Sequence, residues 1–164
     1  MKEFSKDEID KYRDIFRNKG YAETEANIAG RNIKYFNLPP SLNSDLPNFV
    51  FRLTGQPHDG YVIGVSEQMD ERFRPYAALE EYIEFMELGI SRPNRVVESE
   101  TEVLKHVPGE FKTDYVNMRL QFFRALLAEA NEKPEQYLFS PSDEKEFRKN
   151  LKMLERLSNE LSNL

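Results

Sequence analysis

Residues 111–132 constrain the fold of this chain more than any other segment. Phe111, Tyr115, Met118, Phe122 and Leu126 line one helical stripe, and Val116, Leu120, Phe123 and Leu127 line a second. A helix with an apolar surface this wide must be covered on more than one side. The spacing therefore predicts a mainly helical protein with 111–132 at its centre. The chain has 164 residues, which fits a single domain spanning 1–164. Twelve Phe and eight Tyr, with no Trp, supply the rest of a core, and a 39 % apolar content excludes wholesale disorder.

Helix signals recur along the chain. Ser5 and Glu8 form a capping box, Ile9, Tyr12, Ile15 and Phe16 follow at helical spacing, and Gly20 ends the run. A second helix is expected from about 24 to 37, where Ala26, Ile28, Ala29, Ile33 and Phe36 are apolar, and Pro39-Pro40 stops it. A third is expected over 76–88, with Leu79, Tyr82, Ile83 and Met86 on its apolar face and Glu80, Glu84 and Glu87 on another, and Gly89 behind it. A short helix over 98–107 ends at Pro108-Gly109. The last helix begins at Ser142 or Asp143 and reaches the C-terminus.

The β signal is smaller. Residues 49–54 and 61–65 flank the turn cluster Gly55-Gln56-Pro57-His58-Asp59-Gly60 and read as an antiparallel hairpin. An isolated hairpin is marginal in water, so a third strand is needed, and Arg95-Val96-Val97 is the candidate. The fold class is thus α+β, mainly helical, with helices around 111–132 and a small antiparallel hairpin.

Several function classes are disfavoured. No stretch approaches the roughly 18 apolar residues of a spanning helix, and the charged N-terminus has no apolar signal segment. With no Cys, disulfides, thiol nucleophiles and Cys zinc sites are excluded, and a cytoplasmic protein is expected. No G-x-G-x-x-G, G-x-x-x-x-G-K-[ST] or G-x-S-x-G occurs. Residues 61–104 hold four Lys/Arg against ten Asp/Glu, while the segments on either side are balanced, so the net charge of −6 is concentrated there. That distribution lowers the expectation of nucleic-acid binding without excluding it.

Several constellations are candidates for chemistry or binding. Glu80 and Glu84 stand at i and i+4 and can reach one cation together, with Glu81 between them as a general base, in the manner of a helix-borne metal hydrolase site. Oxygen ligands favour Mg²⁺, Mn²⁺ or Ca²⁺. His106 would be a third metal ligand if its helix adjoined. The competing reading is a solvated acidic face, with His106 favoured locally by a helix C-terminus. His58, beside Asp59, is turn chemistry or a ligand. On the last helix, Lys145, Lys149, Lys152 and Arg156 form a basic row that could meet phosphates or an acidic partner; Glu144, Glu146 and Glu155 are interleaved, and the competing reading is a solvated helix face. Phe147, Leu151, Leu154 and Leu161 form a 4-3 seam suited either to a homodimer or to packing on 111–132. The expectation is a non-catalytic interaction or accessory protein with no cofactor. The alternative is a divalent-metal-dependent hydrolase, or a degenerate relative of one, built on Glu80, Glu81 and Glu84.

Overall fold

The structure is a computed structural model that describes residues 3–56, 59–137 and 139–164. The fold is α+β and mainly helical, as the patterning predicts. The chain divides into two compact units, residues 2–90 and residues 91–164. No helix among the described residues is long and apolar enough to cross a membrane.

The first unit opens with α1 (Lys6–Asn18), whose capping box is formed as expected: the Glu8 N–H donates to the Ser5 hydroxyl, and the Glu8 carboxylate accepts from the Ser5 N–H. Ile9 and Phe16 are buried on its inner face.

The expected helix over 24–37 is instead a β-hairpin of β1 (Glu23–Ile28) and β2 (Arg31–Leu38). Its two-residue turn is Ala29-Gly30, with φ of 54° and 76°. Positive φ at both central residues defines a type I′ turn, whose twist matches that of paired strands. The spacing of Ile28, Ile33 and Phe36 is compatible with a helix. The turn and the β-favouring Thr24, Ile33, Tyr35 and Phe36 decide for strands.

The second hairpin pairs β3 (Val50–Thr54) with β4 (Tyr61–Ser66) in antiparallel register, close to the bounds the sequence indicates. β4 also runs parallel to β2, so the sheet order is β1-β2-β4-β3. The extra strands that the hairpin needs therefore come from 23–38. Arg95-Val96-Val97 is the first turn of a helix, because Val96, Ser99, Glu100 and Val103 are all buried at helical spacing.

Phe36, Gly64 and Phe51 lie opposite one another across β2, β4 and β3, and so share one face. Phe16 of α1 packs there, 5.4 Å from each of the two rings. The other face carries Ile63 and Arg52, again opposite one another. α2 (Arg74–Tyr82) covers this second face and continues as one π-helical stretch, Ile83–Leu88. Gly89, with φ of 91°, ends it while its N–H donates to the Glu84 carbonyl five residues back.

The second unit contains α3 (Arg95–Leu104), α4 (Lys112–Glu132) and α5 (Pro141–Ser162). α5 starts with its own capping box, Ser140 with Asp143. It packs along both α4 and α3. Phe147 and Leu154 of the 4-3 seam are buried in that packing, and the Phe123 and Phe147 rings lie 5.9 Å apart. Two buried ion pairs tie the helices together: Arg95 to Asp143 at 2.8 Å, and Arg119 to Glu100 at 2.9 Å.

Candidate metal centre

α2 positions the acidic cluster. Ala77, Ala78 and Leu79 are fully buried, so this helix sits tightly on the sheet. Ala77, Glu80 and Glu84 follow the i, i+3, i+7 spacing of one helical stripe, which carries both carboxylates inward. Glu80 is 1 % exposed and Glu84 3 %. The solvated acidic face is thus corrected for these two residues. Of the three glutamates assigned to that face, Glu87 alone stays at the surface, where Arg31 Nη2 donates to its Oε1 at 2.8 Å. The π-helical stretch begins at Ile83, between Glu81 and Glu84. Such widened turns change the direction of the side chains around them and recur at functional sites.

Glu80, Glu81 and Glu84 each offer a carboxylate oxygen within 4.8 Å of the others. Three oxygens evenly spaced around one ion at the roughly 2.3–2.6 Å of calcium–oxygen contacts stand about 4.0–4.5 Å apart, inside that limit. Glu81 is the most open of the three. Its Oε2 lies 3.7 Å from Arg52 Nε, and the two side chains are 18 % and 14 % exposed. Arg52 is fixed from a second direction, because its guanidinium stacks over the Phe85 ring at 3.5 Å from the centroid. Nearby, the Tyr61 and Tyr82 rings meet edge to face at 5.4 Å. Burial raises the Tyr61 hydroxyl pKa above its ordinary value, against the opposing hydrogen bond from the Lys34 N–H.

Carboxylates this close repel one another, and burial strips away the water that would screen them. Arg52 offsets part of this charge at Glu81. The donor set is otherwise all oxygen, which suits a hard divalent ion.

The other site residues fall elsewhere. His106 is not among the converging groups. It follows α3 in the second unit, with its Nε2 3.3 Å from Glu102 Oε1. Hydrogen bonds from Lys105 and then His106 hold the Glu102 carboxyl below its usual range. His58 lies outside the described residues. Arg52 is the member of the site that sequence reasoning missed. Its only signal was the alternation Phe51-Arg52-Leu53, which turns an arginine to the face opposite two apolar residues. A cleft lined by Arg13, Arg17, Glu23, Lys34 and Tyr61 has its arginines already engaged. Arg13 donates to Asp10 and to the Tyr61 carbonyl, and Arg17 pairs with Glu23.

No protein-family model matches the chain, and no curated protein or solved structure matches it significantly.

Proposed function

We propose that this is a non-catalytic cytoplasmic accessory protein that binds a divalent cation through Glu80, Glu81 and Glu84. The observation that carries the reading is the convergence of three carboxylates of which two are almost wholly buried. Two of the three carboxylates that would hold the ion are buried, which limits a substrate's approach to it. Closed coordination is the mark of a structural ion, and an open position that of a catalytic one. Binding then stabilises the packing of α2 on β2, β3 and β4, and presents that unit in one conformation to a partner.

The test is thermal melting of the full chain with Ca²⁺, Mn²⁺ or Mg²⁺ and after chelation. The expected result is a higher Tm with at least one ion, by an amount that grows with ion concentration. The shift disappears in Glu80→Gln/Glu84→Gln. A melt indifferent to all three ions contradicts the proposal.

One observation favours a second reading, a metal-dependent hydrolase: Glu81, 18 % exposed, is the least buried carboxylate of the cluster, and under this reading it would serve as the general base. Under it, Glu81→Gln abolishes hydrolysis of an activated phosphate ester while leaving the ion-induced melting shift in place. Absence of any ion-dependent hydrolysis by the unaltered protein rejects it.

A further inference from the structure

α5 separates its charges by burial. In the sequence its acids and bases alternate, which implies a weak local field. In the structure two of the acids turn inward. Asp143 is 3 % exposed and paired with Arg95, and Glu146 is 5 % exposed with Lys149 closing over it at 3.2 Å. Glu155 pairs across to Arg124 of α4 at 3.5 Å, and Glu144 is neutralised by Arg148 at 2.7 Å. The outward face is left to the bases. Lys145, Arg148, Lys149, Lys152 and Arg156 fall within about 100° of helical arc over roughly 17 Å of axis. No acid lies within that arc between Lys145 and Arg156; Glu160, exposed, follows one turn later. Among the described residues, Lys145, Lys152 and Arg156 make no hydrogen bond or ion pair, and all three are exposed. This basic face belongs to a protein of net charge −6.

The chemistry of the face narrows what it would meet. Specific protein partners are anchored by buried aromatic and apolar side chains at the interface centre. Surface-bound helices insert apolar residues into the lipid boundary. The exposed large apolar residues of the described chain are Tyr12, Leu42 and Leu164, and none is on α5. Single-strand binding uses aromatic side chains as stacking platforms; Phe147, the aromatic of α5, is buried against Phe123 instead. What remains is a straight row of cations, neighbours about 5–6 Å apart, with neither an apolar anchor nor a stacking ring. Lys and Arg contacts to phosphate are the part of nucleic-acid recognition that carries affinity without sequence information.

We propose that the outer face of α5 binds the phosphate backbone of a nucleic acid without reading its bases. Lys145, Lys152 and Arg156 make the contacts; Lys149, bonded to Asn94 at 2.8 Å and Glu146 at 3.2 Å, and Arg148, paired with Glu144, support them from within the row. The proposal is independent of the cation site.

The experiment measures binding of the full chain to a short DNA duplex and to a single-stranded RNA by fluorescence anisotropy over a salt series. Polyglutamate and vesicles of phosphatidylserine with phosphatidylcholine serve as competing anions. About three phosphate contacts predict a log–log salt slope near −3, a loss of roughly fortyfold between about 50 and 200 mM salt. Lys145→Glu/Lys152→Glu, both exposed, keeps the melting temperature. It weakens binding more than tenfold and flattens the slope by about two. Lys11→Glu/Lys19→Glu, on α1 or at its C-terminal end, changes the net charge equally and leaves the slope unaltered. The proposal is overturned if neither nucleic acid binds at low salt, or if the two charge reversals weaken binding equally. It is also overturned if polyglutamate or the vesicles compete more strongly than nucleic acid.

Discussion

Replacing Gly64 with alanine tests how the sheet and α1 fit together. Gly64 lies between Phe36 and Phe51 on the face that receives Phe16. A Cβ at this position would fall inside the van der Waals envelope of Leu38 Cδ1 and 2.8 Å from Leu38 Cγ. Leu38 is 0 % exposed, so it has no solvent to swing into. Overpacking of this kind costs about 1–3 kcal/mol. The alanine also restricts the unfolded chain, which returns about 0.4–1 kcal/mol. The expected net loss for Gly64→Ala is therefore about 1–2 kcal/mol. Leu38→Ala alone costs about 2–5 kcal/mol by leaving a cavity. In the double variant the new methyl enters that cavity and the clash is gone. The two losses should thus fall short of additivity by about 1–3 kcal/mol. Guanidinium unfolding of the four proteins, followed by circular dichroism, measures the coupling. Neutral Gly64→Ala, or an equal loss with and without Leu38, would refute this account of the α1 face.

Two further predictions concern the buried charges of residues 91–164. Arg119→Met leaves Glu100 fully buried without its ion-pair partner, and should cost about 3–5 kcal/mol. Arg119→Met with Glu100→Leu should recover most of that loss, as read by melting temperature, and failure to recover would mean the pair contributes more than mutual compensation. The Asp143 carboxyl is held below its ordinary value of 3.8: burial pushes it up, but hydrogen bonds from the Ser140 backbone, the Ser140 hydroxyl and Arg95 outweigh burial. A depressed carboxylate stabilises the fold above its unfolded value and loses that contribution as pH falls below 3.8 toward the folded value. Asp143→Asn should therefore lower Tm at neutral pH and flatten its decline in acid, and parallel pH profiles for the two proteins would contradict this.

The parts of the fold that local chemistry determines were legible in the sequence. Ser5 with Glu8 announces α1, and the strands flanking the 55–60 turn announce the β3–β4 hairpin. Residues 24–37 were not legible, because their apolar spacing suits both periods. The decision rests on Ala29 and Gly30 adopting positive φ, a choice made by the strands that pair around them. Val96 and Val97 misled for a related reason: β-branched residues favour strands locally, and burial of α3 against α5 overrides that preference. The candidate site divides the same way. The i, i+4 spacing of Glu80 and Glu84 is written in the sequence. Their burial is not, since it depends on which side of α2 meets the sheet. Arg52 reaches Glu81 only because β3 and α2 come together in the fold. On α5 the basic row is written in the sequence, but which of the interleaved acids turn inward is not, because that depends on Arg95 and on the packing of α3.

The most direct test of the cation site is a calorimetric titration of the metal-free full chain with Mn²⁺ and Ca²⁺, repeated on Glu80→Gln/Glu84→Gln. The account predicts a single site per chain for at least one ion and its loss in the double variant. No heat of binding for either ion, or a site that survives both substitutions, would contradict it.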